Sequence, residues 1–343
     1  MTTAALGPCG IVAGRRGRAF GGNLAGLFLG DALTRRVECV PNFSEGRRVE
    51  TVDRIAAAVE SVEGALVLGT HVDADHNRSV ITFVAPPETV VEAALRAVAL
   101  AAELIDLREH AGQHPRMGAT DVLPFIPLQG VTVEECVRLA HEAGRRIWDE
   151  LGIPVYFYES AARRPERANL ADVRRGGFEL LREQIATVAE RAPDVGEPRV
   201  HESAGACVVG VRPLLIAYNV NLRTSDLGVA RRIAARVRER GGGLPRLKAL
   251  GFELASRGVV QVSMNLTSYA ETNVQQAFEA VRREAEALGV EVLSSEVVGL
   301  LPQDALDRAA AHFLKLENYS PDIVLENRIA AAIERKSKSG NSE

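Results

Sequence analysis

The segment Gly112-Gln113-His114-Pro115-Arg116-Met117-Gly118 places an imidazole and a guanidinium on either side of a proline, between two glycines. A proline disfavours the α conformation in the residue before it, so His114 is expected to be extended. An imidazole titrates near neutral pH and can take a proton from an amine, while Arg116 can grip a carboxylate bidentately. The pair suits an amino acid or another anionic substrate. Standing alone, such a segment is more often a solvated loop, so the rest of the chain has to supply the weight.

Other clusters compete for a site. Pro41-Asn42-Phe43-Ser44-Glu45-Gly46 leaves a strand and enters a helix, so Asn42 and Ser44 read equally well as N-caps or as ligand contacts. Backbone amides at such a helix start favour a carboxylate. The run His71-Val72-Asp73-Ala74-Asp75-His76-Asn77-Arg78 gathers two histidines and two acids between strands. It lacks the glycine and terminal glutamate of a calcium loop and contains no HExxH, so a polar turn is expected and no metal. His110 and His114 are four apart, but Gly112 and Pro115 argue against a helix that would pair them. Gly176-Gly177 and Gly241-Gly242-Gly243 are followed by no Lys-Ser/Thr, and no Gly-x-Ser-x-Gly elbow is present. Cys39 and Cys136 sit in apolar text and are expected in the core.

The elements that must position these residues have a repeating rhythm. Val37–Val40 reads as a strand and 49–59 as a helix, followed by strands at 65–68 and 80–84. A helix over 88–107 starts at Pro87 and Glu88, and a strand follows at Val122–Leu128. Pro124 and Pro127 place that strand at a sheet edge. A helix at 132–150, a strand at 155–158 and a helix near 177–190 come next. The second half reads as a strand at 214–221, a helix at 226–239, strands at 246–253 and 259–266, a helix at 272–288 and a strand at 290–297. Each half is thus β-α-β-β-α-β, the split βαβ order of ferredoxin-like folds. Such a unit carries helices on one sheet face only, so two bare faces can pack together or enclose a ligand. Asn219, Asn221, Gln261, Ser263 and Asn265 alternate with apolar residues, as they would on a solvated face or in a polar cleft.

Composition sets the frame. The 343 residues are 46% apolar and 25% charged, as in a soluble protein with room for two cores. A net charge of −4 gives no basic field for nucleic acid, and no stretch is apolar enough to span a membrane. Four scattered cysteines form neither a disulfide framework nor a zinc pattern, which fits a reducing cytoplasm. Residues 1–36 are rich in glycine and arginine, with Asp31 their single acid. A signal or transit peptide shares those traits, but a poorly ordered extension is the expected reading. The expected divisions are that extension, a first subdomain over 37–211, a second over 212–310, and a helix with a polar tail over 311–343.

Seven segments carry a family resemblance: VECVPNFSEGR (37–47), DHNRSVITFV (75–84), LIDLREHAGQHPRMGATDVLPFIPL (104–128), GIPVYFYESAAR (152–163), LIAYNVNL (215–222), VSMNLTSY (262–269) and SSEVVGLLPQDAL (294–306). In this order they resemble the formiminotransferase family, tetrahydrofolate enzymes of histidine degradation. The resemblance implies an α+β fold of two ferredoxin-like βαββαβ subdomains, sheets face to face and helices outside, with a folate tunnel between. It also implies a cytoplasmic homodimer. The family's catalytic histidine falls on His114. Its folate-binding segment corresponds to Gly196, Glu197, Pro198, Arg199, Val200, His201, Glu202, Ser203, Ala204 and Gly205. Where the family carries an acid after the third motif strand this chain has His71, which leaves Asp73 as the expected acidic partner of His114.

The implied reaction passes a formimino group between N-formimino-L-glutamate and tetrahydrofolate. An amine attacks the amidine carbon, forms a tetrahedral adduct and must lose a proton, a suitable task for an imidazole. The cationic amidine favours a nearby carboxylate over an oxyanion hole. Arg116 or Arg78 can hold a carboxylate of the donor, or either can be a structural ion-pair partner; Asn42, Ser44, Asn77 and Arg78 are the candidate substrate contacts. Three rivals stay open: formyl transfer from 5-formyltetrahydrofolate to glutamate, folate carriage without chemistry, and a metal-dependent hydrolase on Asp73, Asp75 and His76.

Overall fold

A computed structural model describes residues 35–112, 115–128, 130–317, 319–323 and 328. The expected extension up to Thr34, His114 and most of the polar tail lie outside the described residues. The chain enters as β1 (Val37–Cys39), breaks at Val40–Pro41 and resumes as β2 (Asn42–Phe43). Then come α1 (Val49–Glu60), β3 (Leu66–Asp73), β4 (Arg78–Ala85), α2 (Val90–Leu104) and β5 (Thr120–Pro127). β1 and β2 lie between β4 and β5, and β3 pairs with the outer side of β4.

That sheet continues further than the sequence rhythm indicates. α3 (Val133–Leu151) opens with a Thr132–Glu135 capping box and ends at left-handed Gly152, as its sequence signals predict. It leads to β6 (Val155–Glu159), and β7 (Cys207–Val211) inserts in parallel between β5 and β6. β5 is therefore internal, which corrects the edge position expected from its prolines. Cys39 pairs with Phe125 and Asn42 with Val122, so Pro124 lies opposite the break between β1 and β2. Its missing N–H falls where the ladder is already interrupted.

Odd and even positions divide the burial. Cys39, Ile81, Phe83, Leu123 and Phe125 are fully buried with Val52, Ile55, Val98 and Ile147 of α1, α2 and α3. Truncating one of these aromatic side chains would cost roughly 3–5 kcal/mol. The other face of β6 and β7 is covered by α4 (Leu170–Val173) and α5 (Gly177–Gln184), where Val173 and Leu181 pack on Tyr156, Tyr158 and Val208.

The second half comprises β8 (Ile216–Leu222), α6 (Leu227–Val237), β9 (Leu247–Leu254), β10 (Val259–Leu266), α7 (Val274–Ala287) and β11 (Val292–Val298). Its order is β11–β8–β10–β9, antiparallel throughout. Val220, Val262 and Met264 pack with Ile233 and Val281 of the two helices. Asp226 caps α6 and an Asn273–Gln276 box caps α7. α8 (Gln303–Leu314) begins well before residue 311, where the terminal helix was expected.

Apart from α4 and α5 over β6 and β7, the helices pack on one face of each sheet, and the faces they leave bare look at one another. Glu38, Asn42, Arg78 and Thr82 of the first sheet line the same cavity as Asn219, Gln261 and Ser263 of the second. Three contacts close its rim: Ser256 Oγ donates to Asp75 Oδ2 at 2.6 Å, Lys248 Nζ lies 3.4 Å from Glu159 Oε1, and the His76 ring meets Phe252 edge-on at 5.2 Å.

Candidate active site

The cavity between the sheets holds about 880 Å³. Its cationic wall is built at the start of β4. Asn77 turns the chain with φ 48°, and Arg78 follows with its side chain reaching across to β2 and β5. Arg78 Nε and Nη2 donate to Asn42 Oδ1 at 3.1 and 2.7 Å, while Nη1 donates to Asp121 Oδ2 at 2.9 Å. Arg174 Nη2 reaches the same Oδ2 at 2.9 Å, and Asp121 Oδ1 accepts from the Met117 amide at 2.8 Å. Asp121 has no exposed surface. One carboxylate thus braces two guanidiniums at the cavity wall.

Burial pulls Arg78 down to about 10, opposed by Asp121 and reinforced by Arg174. At neutral pH that still leaves only about one molecule in a thousand without the charge. A buried cation next to a polar cavity is a natural seat for a carboxylate.

The remaining candidates separate by position. Asn42 and Arg78 line the cavity, as do His71, Asp73 and His76. Burial acts to raise Asp73, but bonds from the His76 ring (2.8 Å) and backbone (2.9 Å) outweigh it and hold the carboxyl below its usual range. Neither Asn42 nor Ser44 caps α1. Asn42 is in the sheet, and Ser44 Oγ donates to Gly118 O at 2.8 Å. The helix start is held by Glu45 Oε1, which accepts from the amides of Arg47 and Arg48, both at 2.9 Å. Asn77 also turns away from the cavity: its Oδ1 accepts from Gly46 N (2.9 Å) and its Nδ2 donates to Ala111 O (3.0 Å). Gly46 permits that approach, because a Cβ there would sit 2.0 Å from Asp73 O.

Arg116 pairs with Glu179 at 2.9 Å and donates to His110 O at 3.0 Å. Pro115, the residue after His114, lines the cavity, and its carbonyl accepts from Arg174. None of Gly196, Glu197, Pro198, Arg199, Val200, His201, Glu202, Ser203, Ala204 and Gly205 lines it. That segment instead holds the loop leading to β5. Leu107 N donates to Ser203 O at 2.8 Å and Ala119 N to Ala204 O at 2.9 Å, and Gly118 bridges Gly205. Arg199 lies over the Trp148 ring.

A model of the formiminotransferase domain, N-terminal subdomain, matches residues 36–212, and a model of the formiminotransferase domain matches 217–339. The chain belongs to the formiminotransferase family. It is 46% identical over 297 residues to a glutamate formimidoyltransferase of Thermoplasma acidophilum, covering 86% of this chain and 98% of that one. The Streptococcus pyogenes serotype M1 protein of the same name is 43% identical, covering 87% of this chain and 99% of its own length. A formimidoyltransferase-cyclodeaminase of Sus scrofa is 45% identical across 83% of this chain but only 54% of its own length.

The contacts of Arg78 bring in two residues with little or no signal in the sequence, Asp121 and Arg174. Asp121 stands inside the resembling segment 104–128, a lone acid at the mouth of an apolar strand, and that was its only signal. Arg174 had none, because its place depends on how α4 folds over β6. Among the described residues no three His, Cys, Asp or Glu side chains converge as metal ligands. Asp75 Oδ2 accepts from Ser256 Oγ, and Asp73 stays with the His76 ring at 2.8 Å. Among the described residues no helix is long and apolar enough to cross a membrane.

Proposed function

We propose that this chain is a glutamate formimidoyltransferase, moving the formimino group between N-formimino-L-glutamate and tetrahydrofolate. The observation that carries the proposal is the Arg78–Asp121–Arg174 brace on a cavity wall that Pro115 also lines. The donor has two carboxylates and one amidine, and the wall offers two fixed guanidiniums beside the loop bearing His114. Relatives that this chain matches over nearly their whole length carry that enzyme name.

In this reading Arg78, with Asn42, holds a donor carboxylate. Attack by the folate nitrogen on the amidine carbon gives a tetrahedral adduct. His114 takes the proton from the attacking nitrogen and returns one to the departing glutamate nitrogen, so charge and protons balance. Asp73 supplies the negative charge that the cationic amidine favours. Arg116 fixes the loop through Glu179, and Gly196–Gly205 supports the same loop from outside. Holding two substrates in one cleft contributes several kcal/mol of the barrier lowering through orientation alone. The reaction draws on a product of histidine degradation and passes the one-carbon unit to folate.

Purified protein given both substrates is expected to release glutamate and form 5-formimidoyltetrahydrofolate, seen by mass spectrometry. His114→Ala is expected to abolish turnover with folate binding retained. Turnover surviving in that variant refutes the base assignment. Folate binding without turnover in the unmodified protein makes it a carrier, and faster reaction with a formyl donor makes it a formyltransferase.

A further inference from the structure

The wall opposite Arg78 carries a hydrogen-bond chain with a fixed direction. Gln261 Nε2 donates to Glu296 Oε1 at 2.9 Å and to Asn221 Oδ1 at 3.0 Å. Asn219 Nδ2 donates to the same Glu296 oxygen at 3.1 Å, and Asn221 Nδ2 donates to Ser294 Oγ at 3.1 Å. Register explains the meeting. Asn219 lies across from Glu296, and Asn221 lies between Gln261 and Ser294 on adjacent strands.

A carboxylate offers only acceptors, whereas a carboxamide has an NH2 end and an oxygen end. Glu296 therefore orients both amides, nitrogen toward itself and oxygen away. Among the described residues, neither Asn219 Oδ1 nor Gln261 Oε1 receives a hydrogen bond. Both residues line the cavity and are nearly buried, at 7% and 2% exposed, while Glu296 sits on the outer strand and does not line it. The cavity therefore meets two acceptor oxygens, with the Ser263 hydroxyl beside them able to serve either way.

We propose that Asn219 and Gln261, oriented by Glu296, form an acceptor subsite that takes the planar cationic amidine of the donor and disfavours a formyl group in its place. The inference rests on the proposed transferase function and deepens it. A protonated formimino group presents N–H donors and no acceptor, so it satisfies both oxygens. A formyl group puts a carbonyl oxygen where a donor is wanted, and acceptor then faces acceptor in a site largely shielded from water. Sites built to hydrogen-bond one group reject the analogue lacking it far more strongly than apolar pockets reject a missing methylene. Arg78 across the cleft cannot supply this choice, because both donors carry the same glutamate carboxylates. Glu296 is then a positioning residue, acting through two amides that touch the substrate.

The test compares kcat/KM for N-formimino-L-glutamate and N-formyl-L-glutamate, with tetrahydrofolate as acceptor, in the full chain and in Glu296→Gln. A glutamine at 296 can donate as well as accept, so the two amides are free to turn over. The expected result is at least a tenfold fall in the formimino-to-formyl ratio, read mainly as a rise in KM for the formimino donor. General damage lowers both rates together, so a ratio within twofold of the unmodified protein overturns the proposal. Should Glu296→Gln not fold, Asn219→Leu removes one acceptor directly and is expected to lower the ratio by the same tenfold; an unchanged ratio there overturns it equally. Absence of any transfer by the unmodified protein overturns the transferase function and the subsite with it, whereas transfer with an unmoved ratio overturns the subsite alone.

Discussion

Asp121→Asn isolates the electrostatic brace from its shape. Asp121 is wholly buried, and its Oδ2 receives Arg78 and Arg174, each at 2.9 Å. Asparagine keeps the outline but loses the charge, and only one of its two ends accepts. If that oxygen stays with the Met117 amide, an NH2 group faces two guanidiniums. Breaking a buried ion pair by removing one partner costs about 3–5 kcal/mol, since the remaining charge stays uncompensated. At about 2 °C per kcal/mol for a chain of this size, the melting temperature should fall by roughly 6–10 °C. The control is Glu179→Gln, which strips Arg116 of a partner whose side chain is 61% exposed. An exposed pair is worth about 0–1 kcal/mol, so that variant should melt within about 2 °C of the unmodified protein. Calorimetry on both variants decides the matter. A drop below 2 °C for Asp121→Asn, or equal drops for the two, refutes the view that this carboxylate holds the cationic wall.

Two further outcomes follow from the same contacts. Asn77→Ala removes the bonds to Gly46 N and Ala111 O and leaves alanine at a left-handed φ, a loss of about 2–4 kcal/mol. Amide exchange at 110–112 should accelerate and kcat should fall; exchange at the unmodified rate would count against Asn77 as the tie between these loops. Glu45 is buried, which raises its carboxyl, yet the Arg47 and Arg48 amides and the Arg48 guanidinium outweigh that and hold it below the ordinary value of 4.5. Its folded pKa lies below the unfolded one, so its stabilisation is full above about 4.5 and is lost as pH falls through the folded value. Glu45→Gln should therefore melt below the unmodified protein at pH 7, with the gap closing as the pH drops below 4.5; a gap constant with pH would contradict the assignment.

The second half of the fold was legible because its strands alternate cleanly. Tyr218, Val220 and Leu222 go to the core, Asn219 goes to the cleft with Asn221 on the same face, and both helix starts carry caps. The sequence alone could not decide between a solvated face and a polar cleft for those asparagines, since alternation is the same in both. β7 was missed because Cys-Val-Val-Gly-Val is buried on both faces and shows no alternation, as befits a strand between two parallel neighbours. Pro124 misled because the break it exploits lies on another strand. Asn42 reads in the sequence as either a cap or a ligand contact; in the fold it lines the cavity, and Glu45 holds the helix start. Arg174 was illegible in principle: nothing local to Arg174-Arg175 shows that a short helix will carry one guanidinium back to β5.

In the proposed reaction the donor binds between the two sheets, carboxylate on the Arg78 wall and amidine on the Asn219–Gln261 wall. A crystal structure of the full chain with N-formimino-L-glutamate and a folate shows whether it does. The expected result is a donor carboxylate within hydrogen-bond distance of the Arg78 guanidinium and the amidine carbon facing the loop that bears His114. A donor seated outside the cleft, for instance along Gly196–Gly205, would contradict it.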